Sequence, residues 1–237
     1  MVLSILLIEI KNIINLLYFN VLDYYAENMI CYQCGSLIMK DYKDIINFVN
    51  KKNNIITIEE FNNAKIDFYY INKLIEEHYI SRIGKGLYGK TNSFDDEYYI
   101  IQNRYKKSIF SYNTALFFLG KTEVTPNIID VTIPNDYNVS SINSKQIRTH
   151  YVSRDNINLG AITVKSPFGN NIKSYNLERT ICDIVKNENK CGLYTEQRNK
   201  VIRNAFIHNE IDGSTIIKYA KKLKCERKIK AIMEVMI

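Results

Sequence analysis

The sequence predicts an α+β protein, with an N-terminal winged helix-turn-helix followed by a mixed α/β C-terminal domain that ends in a helical bundle. Three observations carry that expectation. Between residues 40 and 90, three short stretches with helical apolar spacing precede a glycine-bearing hairpin. Residues 127–175 hold four short β-branched or aromatic stretches separated by Pro, Gly, Asn and Asp, and from Leu177 onward the apolar spacing is helical again. A chain of 237 residues exceeds the roughly 100–150 of one domain, so two domains are expected, 39–92 and 93–237, behind an extension 1–38.

The extension is apolar without being a membrane span. Leu and Ile crowd residues 2–22, but Glu9 and Lys11 interrupt them and neither run reaches the ~18–20 apolar residues that a span needs. A signal peptide would have a basic start and a small-residue cleavage site, and Met1 to Met39 has neither. Met39 stands just before the first well-patterned helix and can serve as the start, so residues 1–38 need not belong to the native protein. The five cysteines, Cys31, Cys34, Cys182, Cys191 and Cys225, are odd in number and scattered, which points to a reducing, cytoplasmic setting. Cys31 and Cys34 have the spacing of half a zinc site or a redox pair, yet no second Cys or His pair stands at ligand spacing. Neither a metal nor a cofactor is therefore expected.

The first helix is read from residues 41–51, where Tyr42, Ile45, Ile46 and Val49 share one face. Asn53 and Asn54 break it. Thr57 and Glu60 then have the spacing of a capping box, in which hydroxyl and carboxylate satisfy early backbone N–H groups, and the short second helix runs to about Ala64. Asp67 can cap a third helix that buries Ile71, Leu74, Ile75 and Tyr79. Its other stripe carries Tyr69, Asn72, Lys73 and Glu76, which makes this the expected recognition helix, with amide and ammonium groups able to reach base edges and phosphates. Residues 80–89 follow as a hairpin, the wing, with Arg82, Lys85 and Lys90 on or beside it to neutralise phosphates. The expected DNA-binding residues are therefore Tyr69, Asn72, Lys73, Arg82, Lys85 and Lys90. Nine basic residues face seven acidic ones between 40 and 90, so tight binding calls for a homodimer on DNA or a second basic surface. The same module could alternatively serve only protein contacts.

Beyond the hairpin, residues 95–107 read as a linker helix, and Ser111 as the cap of a helix in which Ala115, Leu116 and Leu119 face the core before Gly120 ends it. Strands are expected at 127–134, 146–153, 159–165 and 172–175, forming a small mixed sheet. Helices follow from Leu177 and near 195–208, 213–223 and 226–236. Residues 195–237 carry ten basic and five acidic side chains, most of the chain's formal +7. A solvated helix face is the common meaning of such a run, and an acidic or nucleic-acid partner the alternative.

Four stretches, taken in order, resemble the AbiEi family of antitoxins, the regulatory half of type IV toxin–antitoxin and phage abortive-infection pairs. They are the second helix from Thr57, the hairpin 79–88, the helix start at 111–116 and the segment 175–184. The likeness spans about Met39 to the C-terminus. It implies a winged helix that binds double-stranded operator DNA and represses its own operon, and a C-terminal domain that counteracts a cognate nucleotidyltransferase toxin. It also implies a protein that is not an enzyme. The rival reading is a DNA-targeted nuclease with a winged-helix targeting domain, in which Glu178 and Asp183 near Arg179 hold a metal. Their placement argues for an ordinary helix instead: the dipole favours a first-turn carboxylate at Glu178, and Arg179 and Asp183 have the i, i+4 spacing of a side-chain ion pair. His78, His150 and His208 fall in no nucleophile or metal motif.

Overall fold

A computed structural model describes residues 41–122, 124–137, 146–208 and 210–236. The extension 1–38, with Cys31 and Cys34, lies outside them. The architecture is α+β, and the chain divides into two compact units, the first holding Thr57–Ile80 and residues up to Lys52, the second Asn53–Ile56 and Ser81–Ile237.

In the first unit, α1 (Tyr42–Lys51) starts at Asp41, whose carboxylate accepts from the Lys43 backbone N–H. Helix α2 (Ile58–Asn63) opens on the expected capping box: the Glu60 N–H donates to Thr57 Oγ1 at 3.1 Å and the Thr57 N–H to Glu60 Oε2 at 2.9 Å. Asp67 caps α3 (Phe68–Glu76) through the Tyr69 N–H at 2.8 Å. Both turns that end α2 and α3 are left-handed without glycine, at Lys65 (φ 54°) and His78 (φ 60°). Each carries the paired 6→1 and 5→2 backbone bonds that satisfy the last helical carbonyls, Ile66 to Phe61 and Lys65 to Asn62, then Tyr79 to Leu74 and His78 to Ile75. Ile45, Val49, Phe61, Ile66, Ile71 and Leu74 form this unit's interior. Ile46 and Ile75 are half-buried, and Tyr79, expected inside, is 39% exposed because the turn at His78 carries it past the end of the helix.

The second unit contains two sheets. The first has strand order β1–β3–β2, from β1 (Ile55–Thr57), β2 (Ile80–Gly84) and β3 (Leu87–Lys90). The expected hairpin is present, turning at Gly86 with φ 69°. Strand β1, of three residues, was not legible as a strand. The expected linker helix is present as α4 (Glu97–Arg104), shorter than 95–107 and packed inward: Tyr98 and Ile101 are buried, and its N-cap Asp96 is fully buried, accepting from Ser166 Oγ and from Asn170 Nδ2 at 2.7 Å. Ser111 precedes α5 (Tyr112–Phe118) but makes no capping hydrogen bond. Its backbone N–H donates instead to the Asp130 carbonyl, which ties it to the sheet.

The larger sheet is mixed, in the order β6–β5–β4–β8–β7, from β4 (Ile109–Phe110), β5 (Ile129–Pro134), β6 (Ile147–Val152), β7 (Ala161–Lys165) and β8 (Asn171–Tyr175). Strands β5 and β6 pair in parallel, with Asp130 opposite Arg148 and Thr132 opposite His150. One face of β5 presents Ile129, Val131 and Ile133 to Tyr98, Ile101, Tyr105 and Phe110. A second core joins Leu116 of α5 to the bundle of α6 (Leu177–Lys186), α7 (Thr195–Ile207), α8 (Gly213–Leu223) and α9 (Glu226–Met236), through Ile181, Ile184, Ile202, Ile216 and Ile229. These four helices fall where helical periodicity predicts them.

Candidate nucleic-acid interface

Helix α3 is amphipathic: Ile71 and Leu74 point inward, while Tyr69 (55% exposed), Asn72 and Glu76 face solvent. Tyr69 packs edge-on against Tyr70 at 5.3 Å between ring centres. Lys73 is half-buried, its ammonium 4.5 Å from the centre of the Tyr42 ring on α1. The Tyr42 hydroxyl donates to Glu77 Oε2 at 2.9 Å, and burial together with that carboxylate raises its pKa. Lys73 is thereby steadied by a cation–π contact, whereas Asn72 stands outward at the middle of the helix. The structure thus brings Tyr69, Asn72 and Lys73 together on one helix.

Arg82, Lys85 and Lys90 lie along the hairpin, Arg82 on β2, Lys85 at the turn and Lys90 at the end of β3. Arg82 and Lys85 are exposed; Lys90 is half-buried, and desolvation lowers its pKa. The Lys90 backbone N–H bonds to the Asn54 carbonyl at 2.9 Å, fastening the hairpin to the segment ahead of β1.

A second polar constellation, which sequence reasoning missed, lies on the α5/α6 side of the larger sheet. Asp130 is fully buried and receives Arg148 Nε at 2.6 Å and Nη2 at 2.9 Å, with His150 Nε2 at 2.8 Å from the same carboxylate. The bidentate contact raises the Arg148 pKa. The Tyr112 ring stacks on His150 at 3.9 Å, and its hydroxyl accepts from Asn187 Nδ2 at 2.9 Å. Burial raises the Tyr112 pKa, and the nearby Asp183 adds to it. Two signals were available: an Asp inside an otherwise apolar strand implies a buried partner, and Arg148 and His150 stand two apart on one strand face.

Glu178 and Asp183, the carboxylates of the nuclease reading, each have a hydrogen-bond partner. Glu178 Oε1 accepts from the Asp212 N–H at 3.2 Å, and Asp183 Oδ2 from Arg179 Nε at 2.9 Å. Arg179, 1% exposed, also donates to the carbonyls of Asn156 and Leu159 at 2.7 and 2.9 Å and lies over the Tyr175 ring. Among the described residues no three His, Cys, Asp or Glu side chains converge as a metal site. No described helix is long and apolar enough to cross a membrane. Part of the C-terminal basic run is neutralised in place, since Lys230 pairs with Glu226 at 2.8 Å and Lys228 with Glu188 at 3.3 Å; Lys221, Lys222 and Lys224 are exposed.

The family of unknown function DUF6577 matches residues 103–237. The chain belongs to this family. The match begins within α4 and runs through the larger sheet and the helical bundle, so it includes the Asp130 and Arg179 constellations. No curated protein matches the chain. Among solved structures, the RV2827C protein from Mycobacterium tuberculosis is similar at a TM-score of 0.44 and 10% identity, over 81% of this chain and 80% of that one. A likeness of that degree speaks for neither fold detail nor function.

Proposed function

We propose that this DUF6577 protein is a cytoplasmic, non-enzymatic transcriptional repressor and antitoxin of a type IV pair, with a winged helix-turn-helix that binds the operator of its own operon. In this reading α2 and α3 are the helix-turn-helix and β2–β3 the wing, and the C-terminal domain counteracts a nucleotidyltransferase toxin. The observation that carries it is the amphipathic α3, rigidly capped at both ends and turning Tyr69 and Asn72 to solvent, in a chain whose next element is a hairpin with exposed Arg82 and Lys85. An outward amide at the middle of an exposed helix face suits base-edge contacts, and hairpin cations suit phosphates.

The test is fluorescence anisotropy on DNA from upstream of its own gene, against scrambled duplex, over a salt series. Asn72→Ala is expected to cost about 1–3 kcal/mol on the operator and to relax specificity. Arg82→Ala should weaken both duplexes alike and flatten the salt slope by about one. Wild-type affinity in both variants, or equal affinity of the native protein for operator and scrambled DNA, overturns the assignment. Co-expression with a nucleotidyltransferase encoded in the same operon tests the antitoxin half, which fails if the toxin's growth arrest persists.

A further inference from the structure

A cleft of about 280 Å³ opens in the second unit where the ends of β4 and β5 meet β8. Its described lining contains four cationic residues, Lys106, Lys107, Arg154 and Lys173, and no carboxylate. Arg154 is compensated by an ion pair with Asp136, while the Lys107 ammonium lies 5.3 Å from the centre of the Tyr137 ring, a contact that leaves its charge in place. Lys106, Lys107 and Lys173 are exposed.

The cleft is held by backbone as well as charge. Gln102 of α4 donates through Nε2 to the Ser108 carbonyl at 3.1 Å and the Lys173 carbonyl at 3.0 Å, and accepts from the Lys173 N–H at 2.6 Å. One amide therefore fixes the Ser108 turn against β8 and sets the spacing of Lys107 and Lys173. Ser108 is itself 1% exposed, and its hydroxyl has no hydrogen-bond partner among the described residues. A buried hydroxyl without a partner is costly, and this one lies in the lining of a cationic cleft.

We infer that this cleft binds a phosphate group carried by a nucleotide-sized ligand. Several ammonium groups lining one cleft favour a multiply charged tetrahedral anion, with the unpartnered Ser108 hydroxyl as a further donor. The volume exceeds that of inorganic phosphate alone and approaches the ~300 Å³ lower bound of small-ligand pockets, so an attached organic moiety fits. A backbone phosphodiester carries a single negative charge per phosphate and must extend both ways along its strand, which matches a compact group of three or four cations less well. The inference is independent of the operator-binding reading, because none of its residues belongs to α3 or the hairpin.

The experiment is calorimetry and amide-shift mapping on the full chain with three probes: pyrophosphate, a nucleoside 5′-monophosphate and a short DNA duplex of scrambled sequence. Pyrophosphate and the nucleotide should shift amides around Ser108 and compete with each other. Lys107→Glu and Lys173→Glu should each weaken both about tenfold or more, and Ser108→Ala by a smaller factor, whereas Lys221→Glu leaves them unchanged. Both cleft lysines are exposed, so an unaltered circular dichroism spectrum verifies the fold. Three results overturn the inference: no shift around Ser108, equal weakening by Lys221→Glu, or cleft binding by the duplex alone.

Discussion

Replacing Arg179 by Ala should cost more than any other single change in the second unit. Three losses combine at this buried position. Asp183, whose side chain is 8% exposed, keeps a carboxylate without its guanidinium partner, and breaking a buried pair from one side typically costs about 3–5 kcal/mol. The carbonyls of Asn156 and Leu159 each lose a charged donor, at about 1–3 kcal/mol if nothing replaces it. The side chain also vacates the volume over the Tyr175 ring. Water entering that space repairs part of the polar loss, so the terms do not add, and a net of about 4–6 kcal/mol is expected from a typical total of 5–15. Urea unfolding followed by circular dichroism at pH 7 measures it. The deficit also has a pH signature. Burial already raises the Asp183 pKa against the opposing pull of Arg179, and removing Arg179 raises it further. With a folded-state value above the unfolded one, the charge penalty is absent below the unfolded pKa and grows as pH rises through the folded value. The gap between variant and native protein should therefore narrow from pH 8 to pH 5. A loss below about 2 kcal/mol with an unchanged urea slope, or a gap that widens on acidification, would refute the reasoning.

Two further predictions concern the same unit. At Gly160, φ is +74° and an added Cβ would stand 2.6 Å from Arg179 Cβ and 2.7 Å from Asn176 Oδ1, so Gly160→Ala should lower the melting temperature markedly. Gly120→Ala, at φ +67° with open space around it, should cost only the ~1–2 kcal/mol of a left-handed alanine; similar losses at both sites would contradict the packing at Gly160. Asp212 caps α8, and bonds from the Thr215 and Ser214 side chains hold its pKa at about 2. Because that value lies below the unfolded one, the cap contributes above about pH 4 and is lost from there down to pH 2. A carboxyl titration by NMR with a midpoint near 4 would show that the cap is not formed.

Local signals were read more accurately from the sequence than long-range ones. The caps at Thr57 and Asp67, and the helices from Leu177 onward, depend on side chains within about one turn of each other, so spacing alone identifies them. Strands β1 and β4 are three and two residues long, too short for any period to register, and exist because neighbouring strands supply their partners. Asp96 and Ser111 expose the same limit. Each has the residue type of a helix cap, but Asp96, besides accepting from the Tyr99 N–H at 3.1 Å, is held by Ser166 and Asn170 some seventy positions away, while Ser111 makes no capping bond and answers to Asp130 through its backbone.

The candidate site residues divide along the same line. Tyr69 and Asn72 were legible because amphipathicity alone says which side of a helix stays wet. Asp130, Arg148 and His150 were not, because the sheet register that sets Asp130 opposite Arg148 joins segments 18 residues apart, with no local cue to their parallel pairing. That pairing also explains why the charges are tolerated. A one-residue slip of β6 would move Arg148 and His150 to the other face and leave Asp130 buried without a partner, so the ion pair opposes slips by an odd number of residues. Asp130 and Arg179 thus each tie together segments distant in sequence, β5 to β6 and α6 to the turn that follows β6.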